Sequence, residues 1–346
     1  MKLLKYILPV FAFTLVATVA LAQEKADAIK SYNAGLESAK QENYEDAISH
    51  FTQAYTIANQ IGADGTDIKN RTSRQIPRMH QKVAAIKLNT FKKTKSVEDL
   101  DIAKDALIKT IQVAEQYGQQ EIKRKLQAAV TQLYYQKSLL LYAKGDMEGA
   151  DEAIDKAIIA NANYAVAYYH KAKIHKKKND TNGDGIIDKD INVLLRWYDQ
   201  AISVGEKTNN NRLVRKTSEA AHSELLAVGV KAFQAGNNDL AVQMYTSALN
   251  YNGESSDLHF RLAEVYNKLR KSNKAIEHAQ KALDIENGGK TDKAKIYFEL
   301  GMAQQSLNNK FAACEALSKA VYGNFKSLSE HKMKHELKCD TASSKR

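Results

Sequence analysis

The chain has 346 residues, a formal charge of +11, 44% apolar residues, two prolines and 16 glycines. So few helix breakers leave an almost wholly helical protein. Beyond the N-terminus no apolar run is long enough for a membrane span, which excludes a helical membrane bundle.

Residues 1–22 read as a secretory leader. Lys2 and Lys5 precede the apolar run Tyr6–Val19, and Ala20-Leu21-Ala22 is a small-x-small cleavage site. Fourteen apolar residues fall short of the roughly 20 of a membrane span. Cleavage removes two lysines and no acid, so +11 becomes +9. That balance favours anionic partners, though charges spread along helices mostly solvate an outer face. No cysteine flanks the cleavage site, so no lipoprotein anchor is expected. The expected address is a periplasm or envelope surface, with no integral span after cleavage and no nucleic acid as partner.

The rest divides into helical hairpins that share one offset. In the first, about Lys25 to Ile61, Gly35 stands twelve residues before Ala47, followed by Phe51 and Ala54. Ile61 to Gln75 reads as a polar loop. A degenerate unit follows, about Ile76 to Gly118, with Phe91 where a small residue belongs and Ala103, Leu107 and Thr110 on its second helix. The third, about Gln119 to Ala160, has Ser138 twelve before Ala150, and Gly145 at the turn. The fourth starts at Tyr164, carries Ala172, and has its second helix over about Lys189 to Glu206. The last three, about Arg212 to Asn324, pair Gly229 with Ala241, Ala263 with Ala275 and Gly301 with Ala313. Their second-helix alanines step by 34 and then 38 residues, the longer step taken up by Gly288-Gly289-Lys290-Thr291. Phe325 to Lys338 reads as a capping helix with Leu328, Met333 and Leu337 inward.

A period of 34 with small residues at these offsets resembles the tetratricopeptide repeat, a helix-turn-helix unit. The resemblance implies an all-α, right-handed solenoid of about seven hairpins plus a C-terminal capping helix. Its expected parts are repeats over 23–118, over 119–206 and over 207–325, with a cap and tail over 326–346. Small residues let the two helices cross closely, and stacking completes each unit's core. The family's first helices line a concave face. That places Tyr32, Tyr135, Leu139, Tyr142, Tyr169, Phe233, Phe260 and Phe298 along a groove suited to an extended peptide or amphipathic helix. The same rings also suit packing between neighbouring helices. The Lys/Asn/Lys/Arg set with which some members clamp a C-terminal carboxylate is not assembled here.

Inside the fourth unit lies Asp180-Thr181-Asn182-Gly183-Asp184-Gly185-Ile186-Ile187-Asp188-Lys189-Asp190. Oxygen ligands at loop positions 1, 3 and 5 with glycine at 6 resemble an EF-hand or dockerin-type calcium loop. The implied ligands are Asp180, Asn182, Asp184, the Ile186 carbonyl and Asp188. Position 12 is Ile191 and not a carboxylate, so Asp190 is the substitute. Lys176, Lys177 and Lys178 oppose a cation, and a polar turn is the plainer alternative. Calcium here would be weak and structural.

Cys314 and Cys339 are the only cysteines, and in an oxidising compartment a pair reads as a disulfide. His331 and His335 lie one turn apart beside Glu336, but not in H-E-x-x-H order. No phosphate-binding glycine loop, nucleophile elbow or carboxylate pair suggests an enzyme. The reading is a non-enzymatic scaffold that binds proteins or peptides of the cell envelope. The rivals are binding of anionic glycan or peptidoglycan through a basic surface around Lys173, Lys176 and Lys177, and self-assembly into a homo-oligomer.

Overall fold

The structure is a computed structural model that describes the backbone of residues 4–339 and the side chains of residues 22–339. Most of the leader, including its cleavage site up to Leu21, lies outside the described side chains. Seven helical hairpins follow in chain order: α1 (Leu4–Lys40) with α2 (Tyr44–Gln60), α3 (Thr66–Thr94) with α4 (Val97–Gln116), α5 (Gln120–Ala143) with α6 (Met147–Ala160), α7 (Ala165–Asn179) with α8 (Ile191–Lys207), α9 (Asn211–Gln234) with α10 (Asn238–Leu249), α11 (Ser256–Lys268) with α12 (Ser272–Ile285), and α13 (Lys290–Ser306) with α14 (Lys310–Lys319). A short α15 (Lys326–His331) closes the described chain, and no strand occurs among the described residues. The hairpins fall into two compact units, Met1–Ala167 and Tyr168–Arg346. Among the described residues no helix is long and apolar enough to cross a membrane.

The hairpins share a small-against-large rule at the crossing. A Cβ on Gly35 would lie 2.8 Å from the Phe51 ring, one on Gly229 2.5 Å from Tyr245, and one on Gly301 2.7 Å from Leu317. Phe51, Tyr245 and Leu317 are fully buried, each four residues beyond the second-helix alanine of its hairpin. The sixth hairpin solves the problem differently. Ala263 keeps its methyl because the equivalent position opposite is Ala279, and both lie in one buried cluster. In the third, the Ser138 hydroxyl donates to the Ala150 carbonyl at 2.7 Å, so a polar residue is satisfied at the closest approach. The degenerate second hairpin keeps Phe91 buried among Leu100, Ala103 and Leu107.

The turns are as regular as the crossings. The residue two before the second helix has positive φ in six hairpins: Glu42, Lys95, Gly145, Gly236, Arg270 and Asn308. The next residue's N–H reaches back five residues, as in Asp146 to Leu141 and Asn237 to Ala232. This Schellman geometry ends the first helix in five hairpins, whereas α3 closes on the simpler Lys95 to Phe91 bond. Only two of the six are glycine, so the turn tolerates a strained L-residue and is hard to see in the sequence.

Two expectations are corrected. Ile61 to Gln75 is not a loop: a 3-10 turn at Gly62–Gly65 leads straight into α3 at Thr66. Ile68, Thr72 and Ile76 bury one narrow face there, and the Thr72 hydroxyl donates to the Ile68 carbonyl at 2.8 Å. The remaining polar residues hide that stripe from inspection. Leu328, expected inside the cap, is 46% exposed; Phe325, Met333 and Leu337 pack against Phe298 and Leu317 instead. The α15 helix is only six residues long before a π-turn at Lys332, and Leu328 stands on its exposed side. The Cys314–Cys339 disulfide ties this terminal piece to α14 across 25 residues of chain. A loop of that size stabilises by about 3 kcal/mol in the chain-entropy model.

The crossing rule makes a sign-reversing prediction. Alanine is the better helix former by up to about 1 kcal/mol, but the buried Tyr245 ring leaves no room for a methyl at 229. Overpacking of that kind costs about 1–3 kcal/mol. Gly229→Ala is therefore expected to destabilise by about 1 kcal/mol in denaturant unfolding. In a Tyr245→Ala background the same substitution should stabilise.

Candidate functional site

The eight residues expected on a binding face all stand on first helices: Tyr32 on α1, Tyr135, Leu139 and Tyr142 on α5, Tyr169 on α7, Phe233 on α9, Phe260 on α11 and Phe298 on α13. They are not equally available. Leu139 is 39% exposed, and Tyr32, Tyr135, Tyr142, Tyr169 and Phe233 are partly buried. Phe260 and Phe298 belong to the core at 9% and 8% exposure. Tyr32 leans on Phe51 at 5.5 Å between ring centres, Tyr135 meets Tyr164 edge to face at 5.5 Å, and Phe298 meets Phe325 at 5.3 Å. The Lys216 ammonium lies 4.9 Å from the Tyr169 ring centre and that of Lys295 4.7 Å from Phe260. Each ring therefore packs on one side, and in the partly buried set some surface is left over.

The Asp-rich loop is ordered by its own side chains. Gly183 and Gly185 take positive φ. The Asp184 N–H donates to Asn182 Oδ1, the Ile186 N–H to Asp184 Oδ1, and the Gly185 N–H to Asp180 Oδ2. The Thr181 hydroxyl and N–H both donate to Asp188 Oδ2, at 2.7 and 2.9 Å. Where a cation would sit among these oxygens, Lys231 of α9 arrives: its Nζ is 3.0 Å from Asp184 Oδ2 and 3.0 Å from Asp188 Oδ1. Asp188 is held below the usual carboxylate range, first by the Thr181 hydroxyl and then by Lys231. Asp184 is lowered too, first by the Ile186 N–H and then by Lys231. Asp190 is exposed in left-handed conformation just before α8, away from this network. Asp180 Oδ1 is buried with no hydrogen-bond partner. Among the described residues no group of three or more His, Cys, Asp or Glu converges as a metal site.

Two sets of residues escaped the sequence reading. The first is a cavity of about 280 Å³ between α4, α5 and α6, where Lys104, Lys137 and Lys156 surround Tyr134, Leu141 and Ala153. Those lysines are already paired, Lys104 and Lys137 with Asp101 and Lys156 with Glu152. The second set joins α11 to α13. Glu299 is 9% exposed, and among the described residues its side chain accepts from Asn267 alone, whose Nδ2 reaches Oε2 at 2.7 Å and the Glu299 carbonyl at 2.9 Å. Burial raises the Glu299 carboxyl to about 7; Asn267 opposes the rise and the Glu264 charge adds to it. Glu264 is itself raised, first by burial. A lone acid between Phe298 and Leu300 was the one signal the sequence offered.

Two segments, residues 131–164 and 256–288, match the model of the tetratricopeptide repeat family. The first runs from within α5 to the end of the third hairpin, and the second covers α11 and α12. No curated protein matches the chain. Among solved structures, the chain is similar to YrrB, a TPR protein with an unusual peptide-binding site, at 17% identity and TM-score 0.30, over 58% of this chain and 91% of that one. It is similar to the TPR2AB domain of yeast Sti1 in complex with an HSP90 peptide, at 14% identity and TM-score 0.31, over 90% and 95%. It is also similar to PilW, a type IV pilus biogenesis factor, at 14% identity and TM-score 0.28, over 57% and 97%.

Glu299 gives a pH signature. A carboxyl that titrates near 7 when folded and near 4.3 when unfolded adds stability below the lower value and loses it as pH rises through the upper one. Glu299→Gln removes that loss while keeping an acceptor for Asn267. The variant is expected to exceed wild type by on the order of 3 kcal/mol at pH 8. The gap should narrow as unfolding is measured toward pH 5.

Proposed function

We propose that this chain is an exported, non-enzymatic scaffold of the cell envelope. It holds a peptide or partner-protein segment against the first-helix faces of its hairpins. The observation that carries the reading is the partly exposed rings on first helices, Tyr135 and Tyr142 in the first unit and, in the second, Tyr169 and Phe233, which pack on the core with part of their surface and keep the rest. Aromatic rings give contact area at low entropic cost. The leader at residues 1–22 and the two repeat matches support the address and the class.

A pull-down from envelope extract tests this reading. The comparison is wild type against Tyr142→Ala, Tyr169→Ala, Phe233→Ala, with Phe260 and Phe298 left intact because they are core. A partner kept by wild type and lost by the variant at unchanged helicity is the expected result. Identical captures would remove the rings from the binding face. The second reading, anionic glycan or peptidoglycan as ligand on the basic surface around Lys173, Lys176 and Lys177, has to contend with the pairing of Lys176 to Glu224. Binding of that kind should collapse at high salt, whereas apolar contact should persist.

The loop at 180–190 adds a weak structural calcium site to this proposal. Asp180, Asn182, Asp184, the Ile186 carbonyl and Asp188 would hold the ion, and the orphaned Asp180 oxygen is chemically apt. Calcium must displace Lys231, which lowers affinity to 10⁻⁴ M or weaker, on the order of extracellular modules. Millimolar calcium is expected to raise the melting temperature slightly, Lys231→Met to enlarge the rise, and Asp184→Ala to abolish it. No rise in either wild type or Lys231→Met rejects calcium.

A further inference from the structure

Glu299 is a buried carboxylate without a countercharge. No ion pair reaches it or Glu264 among the described residues, although the chain carries a surplus of lysine and arginine. The cations nearby are committed elsewhere: Arg261 and Lys295 both bond Asp257, at 3.0 and 3.2 Å. Lys268, exposed on the last turn of α11, acts on Glu264 and Glu299 only through its charge at a distance and makes no ion pair among the described residues. Facing Glu299 across the two helices is Asn267, whose Nδ2 is used up on Glu299 and whose Oδ1 is buried with no partner. The set therefore has acceptors on two helices and lacks a donor. An unpaired buried acceptor costs about 1–3 kcal/mol and a buried charge more. A fold indifferent to this position would place Gln or Leu there.

We propose that Glu299, Glu264 and Asn267 Oδ1 form a receptor for one basic side chain, a lysine ammonium or arginine guanidinium, presented by the bound peptide segment. This rests on the peptide-binding reading above and names the chemistry that one position of the peptide must have. The ammonium supplies the positive charge and the donors the set lacks, and a charge-assisted bond is about twice as strong as a neutral one.

The test uses the full chain and two blocked heptapeptides, Ala-Phe-Ala-Lys-Ala-Phe-Ala and the same sequence with norleucine in place of lysine. Affinities are measured by isothermal titration at pH 8. The lysine peptide is expected to bind at least tenfold tighter than the norleucine peptide. That ratio should fall to about one in Glu299→Gln, a variant expected to be more stable than wild type, so its loss of selectivity is not a loss of fold. Lys268→Ala should leave the preference intact or increase it. Equal affinity of the two peptides for wild type overturns the basic-side-chain receptor and leaves peptide binding standing. No binding of either peptide overturns it as well, while the partner capture described above judges the wider reading on its own. A lysine preference that survives unchanged in Glu299→Gln moves the selectivity to another acid and overturns the assignment.

Discussion

The structure depends on how closely two helices of a hairpin can approach. Where the first helix offers no side chain, at Gly35, Gly229 and Gly301, the second drives a full ring or leucine into the gap. Where the first helix keeps a methyl, at Ala263, the second withdraws to Ala279. Each hairpin is thus a matched pair of volumes, and dense packing makes the match unforgiving. Once the crossing is set, the Schellman turn fixes where the second helix begins, and one face of each first helix remains for other contacts.

Much of this was legible because it is local. A Gly or Ala twelve residues before an alanine is a spacing within one hairpin that marks four of the seven, and helical period supplied the others and the terminal helix behind them. The Cys314–Cys339 pairing was legible from the number of cysteines and the expected oxidising address, and the structure contains it. The start of α3 was not, because Ile68, Thr72 and Ile76 form a stripe too thin to stand out among polar neighbours. The exposure of Leu328, four residues before the π-turn at Lys332, is announced by no residue type.

The charged features were less legible for a different reason. Lys231 reaches Asp184 and Asp188 across 47 and 43 residues, and Asn267 reaches Glu299 across 32. Such partners are chosen by stacking of hairpins, not by spacing within one. The outcome separates two acids that look alike in the sequence. Asp188 is pulled down by its hydroxyl, amide and ammonium donors, whereas Glu299 is pushed up by burial with a single amide for company. The first arrangement satisfies itself. The second leaves an acceptor unmet among the described residues, and the proposed receptor rests on that demand.

The disulfide between α14 and Cys339 has a mechanical side. A stack of hairpins under tension ordinarily peels from its end, one element at a time, because each touches only its neighbours. Here a pull applied to the chain beyond Cys339 bypasses α15 and the π-turn and enters the fold at Cys314, in the middle of α14. Force along that route must shear a helix buried at Ala313, Ala316 and Leu317, and cannot simply unroll the terminal turns. The crosslink turns the most easily frayed end into an anchor point.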